Sequence, residues 1–252
     1  MISKESSLKD LIQNFTPVNP SERLQLLLKY SLSSLQDPTK ADYVAAVGDL
    51  SSVHTLKEIR RKMHADIEGQ QILKEKPRVN SETWNKQRLL ALPDHTFGHQ
   101  FARWMKEKDF SSDERPITKY VPDLELAYVM QRYREIHDTL HVLLGYDVTV
   151  AEEIAVKWYE MIQLGLPSTA LSAFVGPLNL LAVQRNFEEF KLLNTVYLPH
   201  ILQQSQTSGT FFMNIYFEKH FETDIRVLRQ RLGIRPLKKQ ISTHNENEAK
   251  II

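Results

Sequence analysis

Two histidines and two acids carry the chemistry this chain is equipped for: His137, Asp138, His141 and Glu153. On a helix, His137 and His141 lie one turn apart on one face, and Asp138 sits about 100° round from His137, one turn below His141. All three side chains then share a hemisphere. Gly145 and Asp147 supply turn chemistry, and Thr149 with Glu152 three residues on spells a capping box that opens a second helix. Glu153 falls in the first turn of that helix and flanks the apolar arc of Val150, Ile154, Trp158 and Met161. An antiparallel hairpin that buries this arc brings Glu153 to the His/Asp/His face. Two imidazoles and two carboxylates are enough to ligate a divalent ion and leave room for water or substrate. Zn²⁺ suits the imidazoles and Mg²⁺ the carboxylates, so both ions stay open. Glu160, two turns after Glu153 on the same face, is placed to support a ligand from behind.

Spacing alone is a weak signal in a chain with nine histidines, and the chain contains its own control. His95 and His99 share the i, i+4 spacing, with Asp94 beside them, but Gly98 lies inside the pair, Pro93 precedes it and no fourth ligand follows. What separates the second pair is its setting: charged residues on an otherwise apolar helix, and an acid correctly placed on the next one.

The elements that must hold these residues read as helices throughout. Residues 1–35 alternate polar and apolar at helical spacing, and Pro20 before Ser21-Glu22 marks a start. Further helices are expected over 40–50, from Ser51 or Ser52 to about Gly69 with Leu56, Ile59, Met63 and Ile67 inward, and from Ser81 towards Leu92. In the third, the basic run at 57–62 reads as the solvated face. Another helix follows Pro93, with Phe97, Phe101, Trp104 and Met105 as core. Residues 109–122 form a long irregular connection containing Arg115-Pro116, and Asp123 after Pro122 caps the helix that carries the histidines. From Met161 to Gln184 there is no charged residue, but Gly165, Pro167, Gly176 and Pro177 break the run twice. A single membrane span is therefore disfavoured. Helices over 168–175 and 178–187 are expected instead, forming core, lining an apolar slot beside the metal cluster or facing a membrane. The section 197–233 reads as two helices, the second carrying Phe212, Ile215, Tyr216, Ile225, Leu228 and Leu232. Its aromatic side would close the channel or form the face of a homodimer. Residues 238–252 are a polar tail expected to be disordered. The fold expected is all-α: residues 1–237 as one multi-helix bundle, with an apolar channel next to a metal site.

Composition sets the limits. A chain of 252 residues, 42% hydrophobic and 25% charged, buries a sizeable core as one globular domain. A net charge of +1 without a basic, aromatic-studded stripe argues against nucleic acid as partner. With no cysteine, disulfides, thiolate metal sites and cysteine nucleophiles are excluded at once. No glycine-rich phosphate loop and no hydrolase elbow appear. The first residues form neither a signal peptide nor an Arg-rich transit peptide, which leads us to expect a bacterial, cytoplasmic protein peripheral to the membrane, or a processed form. A phosphohydrolase of the His-Asp type would need an upstream histidine and a downstream aspartate; His95 or His99 and Asp224 are poor stand-ins.

The pattern His137-Asp138-x-x-His141, eleven residues, then Glu153 resembles the metal motif of the coenzyme Q (ubiquinone) biosynthesis protein 4 family. The residues 123–138 leading into it, Val156 to Glu160, Gln163 to Pro167 and Gly176-Pro177 resemble the family as well. Weaker echoes at Asp37-Pro38, 69–73, Pro77-Arg78, Arg115 and 232–234 extend the likeness from about Leu32 to Pro236. Tyr146-Asp147-Val148 departs from a more apolar turn. The resemblance implies a polyprenylated benzenoid precursor of a quinone, or an isoprenoid lipid, as ligand. It implies loss of the carboxylate and hydroxylation at ring carbon 1, with His137, Asp138, His141 and Glu153 as metal-bound catalytic residues. It also implies a multiprotein quinone-biosynthesis complex on the membrane. A non-catalytic, lipid-binding scaffold of that complex is the alternative. Arg132 and Arg134 are the nearest groups to steady an anionic head; otherwise they are surface arginines.

Overall fold

The computed structural model describes residues 4–36 and 40–237, and among these there is no β-strand. The chain runs α1 (Lys4–Asn14), α2 (Pro20–Gln36), α3 (Ala41–Ser51), α4 (Val53–His64), α5 (Ile67–Glu75), α6 (Lys86–Leu90), α7 (Phe97–Glu107), α8 (Leu124–Leu144), α9 (Val150–Leu164), α10 (Pro167–Ala182), α11 (Phe187–Leu192), α12 (Leu198–Thr207) and α13 (Ile225–Leu232). The expected tail at 238–252 and the Asp37-Pro38 turn lie outside the described residues. The expected all-α bundle is what forms.

α8 is the axis. Asp123 accepts a hydrogen bond from the Leu126 amide at its start, and Gly145, in the left-handed region at φ 78°, closes its end. Every residue from Leu126 to Leu144 is buried, so α8 has no solvated face. α1, α4 and α7 pack against it. Its charged side chains must therefore find partners in other segments, and they do. Arg132 meets Glu218, Arg134 meets Asp49 of α3, Glu135 meets Arg78, and Asp138 meets Arg115.

α9 opens on the expected capping box: the Thr149 hydroxyl accepts from the Glu152 amide, and the same hydroxyl donates to the Glu152 carboxylate at 2.9 Å. α9 returns antiparallel to α8, pairing Tyr133 with Glu160 near one end and His141 with Glu153 near the other.

Several expected boundaries shift for physical reasons. The helix expected to reach Gly69 ends at His64, because Asp66 turns extended and caps α5 through the Gly69 amide. The face rotates there, leaving Ile67 88% exposed instead of in the core. Only Lys86–Leu90 of the expected 81–92 helix forms, since Asn80, Thr83 and Asp113 tie residues 80–83 into a turn. The two short helices expected at 168–175 and 178–187 are one, α10, with Pro177 inside it. Pro177 cannot donate to the Ala173 carbonyl, and the Trp158 indole N–H takes that carbonyl at 2.9 Å instead. Gly176 lets α10 lie directly on Ile154, where a Cβ would meet the isoleucine at 2.7 Å. One continuous helix packed on α9 thus takes the place of the two expected. Phe212, Ile215 and Tyr216 lie in and around 3-10 turns, not on the helix of Leu228 and Leu232. No helix of the described residues is long and apolar enough to cross a membrane.

Candidate metal centre

Three of the four expected ligands converge. His137 Nε2 and His141 Nε2 are 3.2 Å apart, Glu153 Oε1 is 3.1 Å from the first, and Glu153 Oε2 is 3.0 Å from the second. Two nitrogens bound to one zinc at about 2.0–2.1 Å in a tetrahedron are about 3.3 Å apart, so the pair needs almost no adjustment. The other ring nitrogens are already spoken for. His137 Nδ1 donates to Glu160 Oε1 at 2.6 Å, and His141 Nδ1 donates to the Asp147 carbonyl at 3.0 Å. With the tautomers set in this way, both Nε2 lone pairs face each other and a carboxylate, three acceptors with no donor between them. These three atoms could hold a metal ion at their meeting point. The titration directions agree: burial disfavours a charged His137, yet Glu160 and Glu153 win and raise its pKa, while His137 and His141 outweigh burial and hold Glu153 well below the usual range.

Around this core, His141 stacks on Trp104 at 5.4 Å between centroids, and both imidazoles are buried. Glu153 remains 40% exposed and marks the open side. Glu160, fully buried, accepts from His137, from Tyr133 Oη at 2.9 Å and from Lys157 Nζ at 2.9 Å. Burial would raise its pKa, but Lys157 and His137 pull it down to about 2. Lys157, held protonated by Glu160 against the cost of burial, also stands 3.8 Å from Glu153. Glu153, Lys157 and Glu160 occupy i, i+4 and i+7 of α9, one stripe facing α8. Glu160 thus stands behind the His137 imidazole, on the ring nitrogen turned away from Glu153.

Asp138 goes elsewhere. Its buried carboxylate receives the Arg115 guanidinium through Nε and Nη2, the former at 3.3 Å. The converging group is His137, His141 and Glu153 without it.

Neither arginine expected at the head site is there, and neither is a surface residue. Arg132 has no exposed surface and grips Glu218 and the Ile215 carbonyl, and Arg134 grips Asp49, the Ala45 carbonyl and Thr118. Arg132 lies across α8 from the histidines, whereas Arg134, three residues before His137, shares their face but turns its guanidinium to α3 and the 116–118 loop. The cations at the site are Arg115 and Lys157, which the motif reading passed over. Lys157 was findable, since its position four after Glu153 puts it on the ligand stripe. Arg115 comes from an irregular loop, where no periodicity reports direction. The control pair behaves as its context dictates: Thr96 caps α7 between the two histidines, and His99 Nδ1 bonds to the Leu92 carbonyl, so the pair never shares a helix.

The chain matches the family model described as coenzyme Q (ubiquinone) biosynthesis protein Coq4 over residues 12–238. It is 50% identical over 212 residues to the mitochondrial ubiquinone biosynthesis protein COQ4 homolog 2 of Paramecium tetraurelia, covering 84% of this chain and 95% of that one. With the human mitochondrial COQ4 homolog it shares 37% identity over 224 residues, 89% of this chain and 82% of the relative. A crystal structure of a Nostoc punctiforme protein assigned to ubiquinone biosynthesis has the same fold, with a TM-score of 0.66 at 21% identity over 85% of this chain and 98% of its own.

Proposed function

We propose that this chain, which belongs to the Coq4 family of ubiquinone biosynthesis proteins, binds a carboxylated, polyprenylated benzenoid precursor beside a divalent ion held by His137, His141 and Glu153. The observation that carries the reading is the convergence of three acceptor atoms whose tautomers are fixed from behind. With Asp138 committed to Arg115, two imidazoles and one carboxylate make a donor set suited to Zn²⁺ rather than Mg²⁺. When bound, the ion supplies a Lewis acid next to the ring.

The chain's own residues do the rest. Glu160 and the Asp147 carbonyl orient the imidazoles. Arg115 and Lys157 place positive charge beside the open side for an anionic head. Trp104 and the buried wall of α8 keep water from all but the Glu153 side. Phe174 and Leu178 of α10 and Ile162 of α9 are exposed apolar side chains along which a prenyl tail or a membrane surface would lie. The outward leucines of α2 (Leu24, Leu28, Leu32 and Leu35) offer a second such face, to a membrane, a second copy or a partner of the complex. The reaction we assign exchanges the carboxylate at ring carbon 1 for a hydroxyl. Carboxylic acid and water become phenol, carbon dioxide, two protons and two electrons, and the electrons pass to dioxygen, giving peroxide.

The test is metal analysis of wild type and His141→Ala, followed by release of labelled carbon dioxide from a ring-carboxylate-labelled prenyl hydroxybenzoate in air. We expect about one zinc per chain in wild type, none in the variant, and labelled gas only from the loaded wild type. Zinc without turnover, with Glu153→Gln binding lipid as wild type does, would leave a scaffold that captures the precursor.

A further inference from the structure

The two imidazoles are held from behind by devices of unequal stiffness. His137 Nδ1 donates to Glu160, a fully buried carboxylate on α9. His141 Nδ1 donates to a backbone carbonyl, that of Asp147, in the turn between α8 and α9. The next two residues of that turn, Val148 and Thr149, are exposed. A peptide group in a surface turn holds an imidazole only as firmly as the turn itself is held.

What holds this turn is α7. Asp147 Oδ1 takes Lys108 Nζ at 2.6 Å and the Val148 amide at 2.9 Å. Lys108 ends α7, and Trp104, four residues earlier on the same face, stacks on His141 with 27° between the ring planes. α7 is a firm base for both, because Phe97, Phe101, Ala102 and Met105 root it in the core. The end of one helix therefore bears on His141 twice. Trp104 lies on the face of the ring, and Lys108 acts through Asp147 on the carbonyl that receives the Nδ1 proton.

We infer that Lys108 is a positioning residue for His141: its ion pair with Asp147 fixes the turn whose carbonyl keeps the proton on Nδ1 and leaves Nε2 bare toward His137 and Glu153. The inference deepens the metal reading above and rests on it, since the bare Nε2 is the atom that an ion would take. Lys108 is not one of the three converging residues. Position and charge also give opposite signs. Acting through space alone, loss of a lysine near a dication would tighten the ion; loss of a clamp on one of its ligands weakens it.

The experiment uses the full chain carrying isotope-labelled histidine. In the metal-free chain, in mildly alkaline buffer, long-range nitrogen–proton NMR reads which ring nitrogen of each histidine holds the proton. Competition with a chromophoric chelator then reads zinc affinity. Wild type should show His141 protonated on Nδ1. Lys108→Met should give His141 a mixture of tautomers, leave His137 unchanged, and bind zinc about three- to fivefold more weakly, the most that a part-exposed ion pair supplies. Lys108→Arg, which keeps the charge for Asp147, should restore both. Asp147→Asn, alone or combined with Lys108→Met, should match Lys108→Met, because the same pair is broken in all three. Lys106→Met removes an exposed positive charge from the same turn of α7 and should change neither reading. An unchanged His141 tautomer in Lys108→Met, zinc held as tightly as in wild type or more tightly, or equal weakening in Lys106→Met would overturn the inference. A wild type that binds no zinc would sink the metal reading instead, and the metal-free tautomers would still decide whether Lys108 positions His141.

Discussion

Two adjoining stretches of α8 deal with buried polarity in opposite ways. Over Arg132, Arg134 and Glu135, each charge meets its opposite from a distant segment: Glu218, Asp49 and Arg78. One turn on, His137 and His141 meet a carboxylate instead, and three acceptors converge with no donor. The first stretch is electrostatically complete within the chain and serves to lock the bundle around its axis. The second could hold a cation from outside, which is what the proposed function assigns to it. Burial of polar groups therefore does not mark a site by itself; a deficit in the pairing does.

The largest effect should come from opening a completed pair. Arg134→Met leaves Asp49 buried without its cation, and we expect a loss of about 3–5 kcal/mol in unfolding free energy. The zinc content of whatever folds should stay that of wild type, because the Arg134 guanidinium is committed to Asp49, Thr118 and two backbone carbonyls and touches none of the three converging atoms. Pairing that substitution with Asp49→Leu should return much of the stability, by exchanging an ion pair for apolar contact. If Arg134→Met lost zinc and kept its stability, the division between the two stretches would be wrong.

The next effect belongs to the incomplete stretch. Zinc at about a hundredfold over its dissociation constant should stabilise wild type by about 2.7 kcal/mol, as any ligand bound only by the folded state does. In His141→Ala the same zinc should do nothing measurable, and metal-free His141→Ala should lose little beyond the packing of the imidazole on Trp104. Chemical unfolding with and without zinc gives all four values. A metal-free variant far less stable than wild type would mean that the histidines are structural.

Between these lies Glu160, the residue that makes the incomplete stretch rigid. Glu160→Gln can keep one oxygen for His137 Nδ1 but puts an NH2 where Tyr133 and Lys157 donate to the second oxygen, and it removes the charge. We expect zinc to bind about ten- to hundredfold more weakly. Competition with a chromophoric chelator measures it, and an unchanged affinity would strike Glu160 from the site.

How much of this was legible in the sequence follows from how each residue is held. His137, His141, Glu153 and Glu160 were readable because helix geometry fixes direction from spacing, and Thr149 and Glu152 announce where the second helix starts. Arg132 and Arg134 were misread because their partners, Glu218 and Asp49, lie 86 and 85 residues away, a distance over which local pattern says nothing. Pro177 was read as a break because its compensation, the Trp158 indole, sits on another helix. Arg115 was seen only as an echo in a loop.

The smallest effect tests whether the capping box sets the site as well as the helix. Thr149→Ala removes both the acceptor for the Glu152 amide and the hydroxyl donated to its carboxylate. An N-cap lost to alanine costs about 1 kcal/mol, and that much is expected in unfolding. Glu153 lies in the same first turn and is the one ligand with solvent exposure, so fraying there should reach the ion where it is least buried. Zinc affinity should fall severalfold in Thr149→Ala, while Thr149→Ser, which keeps the cap, should hold it. Stability lost with zinc affinity intact would show that Glu153 is placed by α9's packing against α8 and not by its cap.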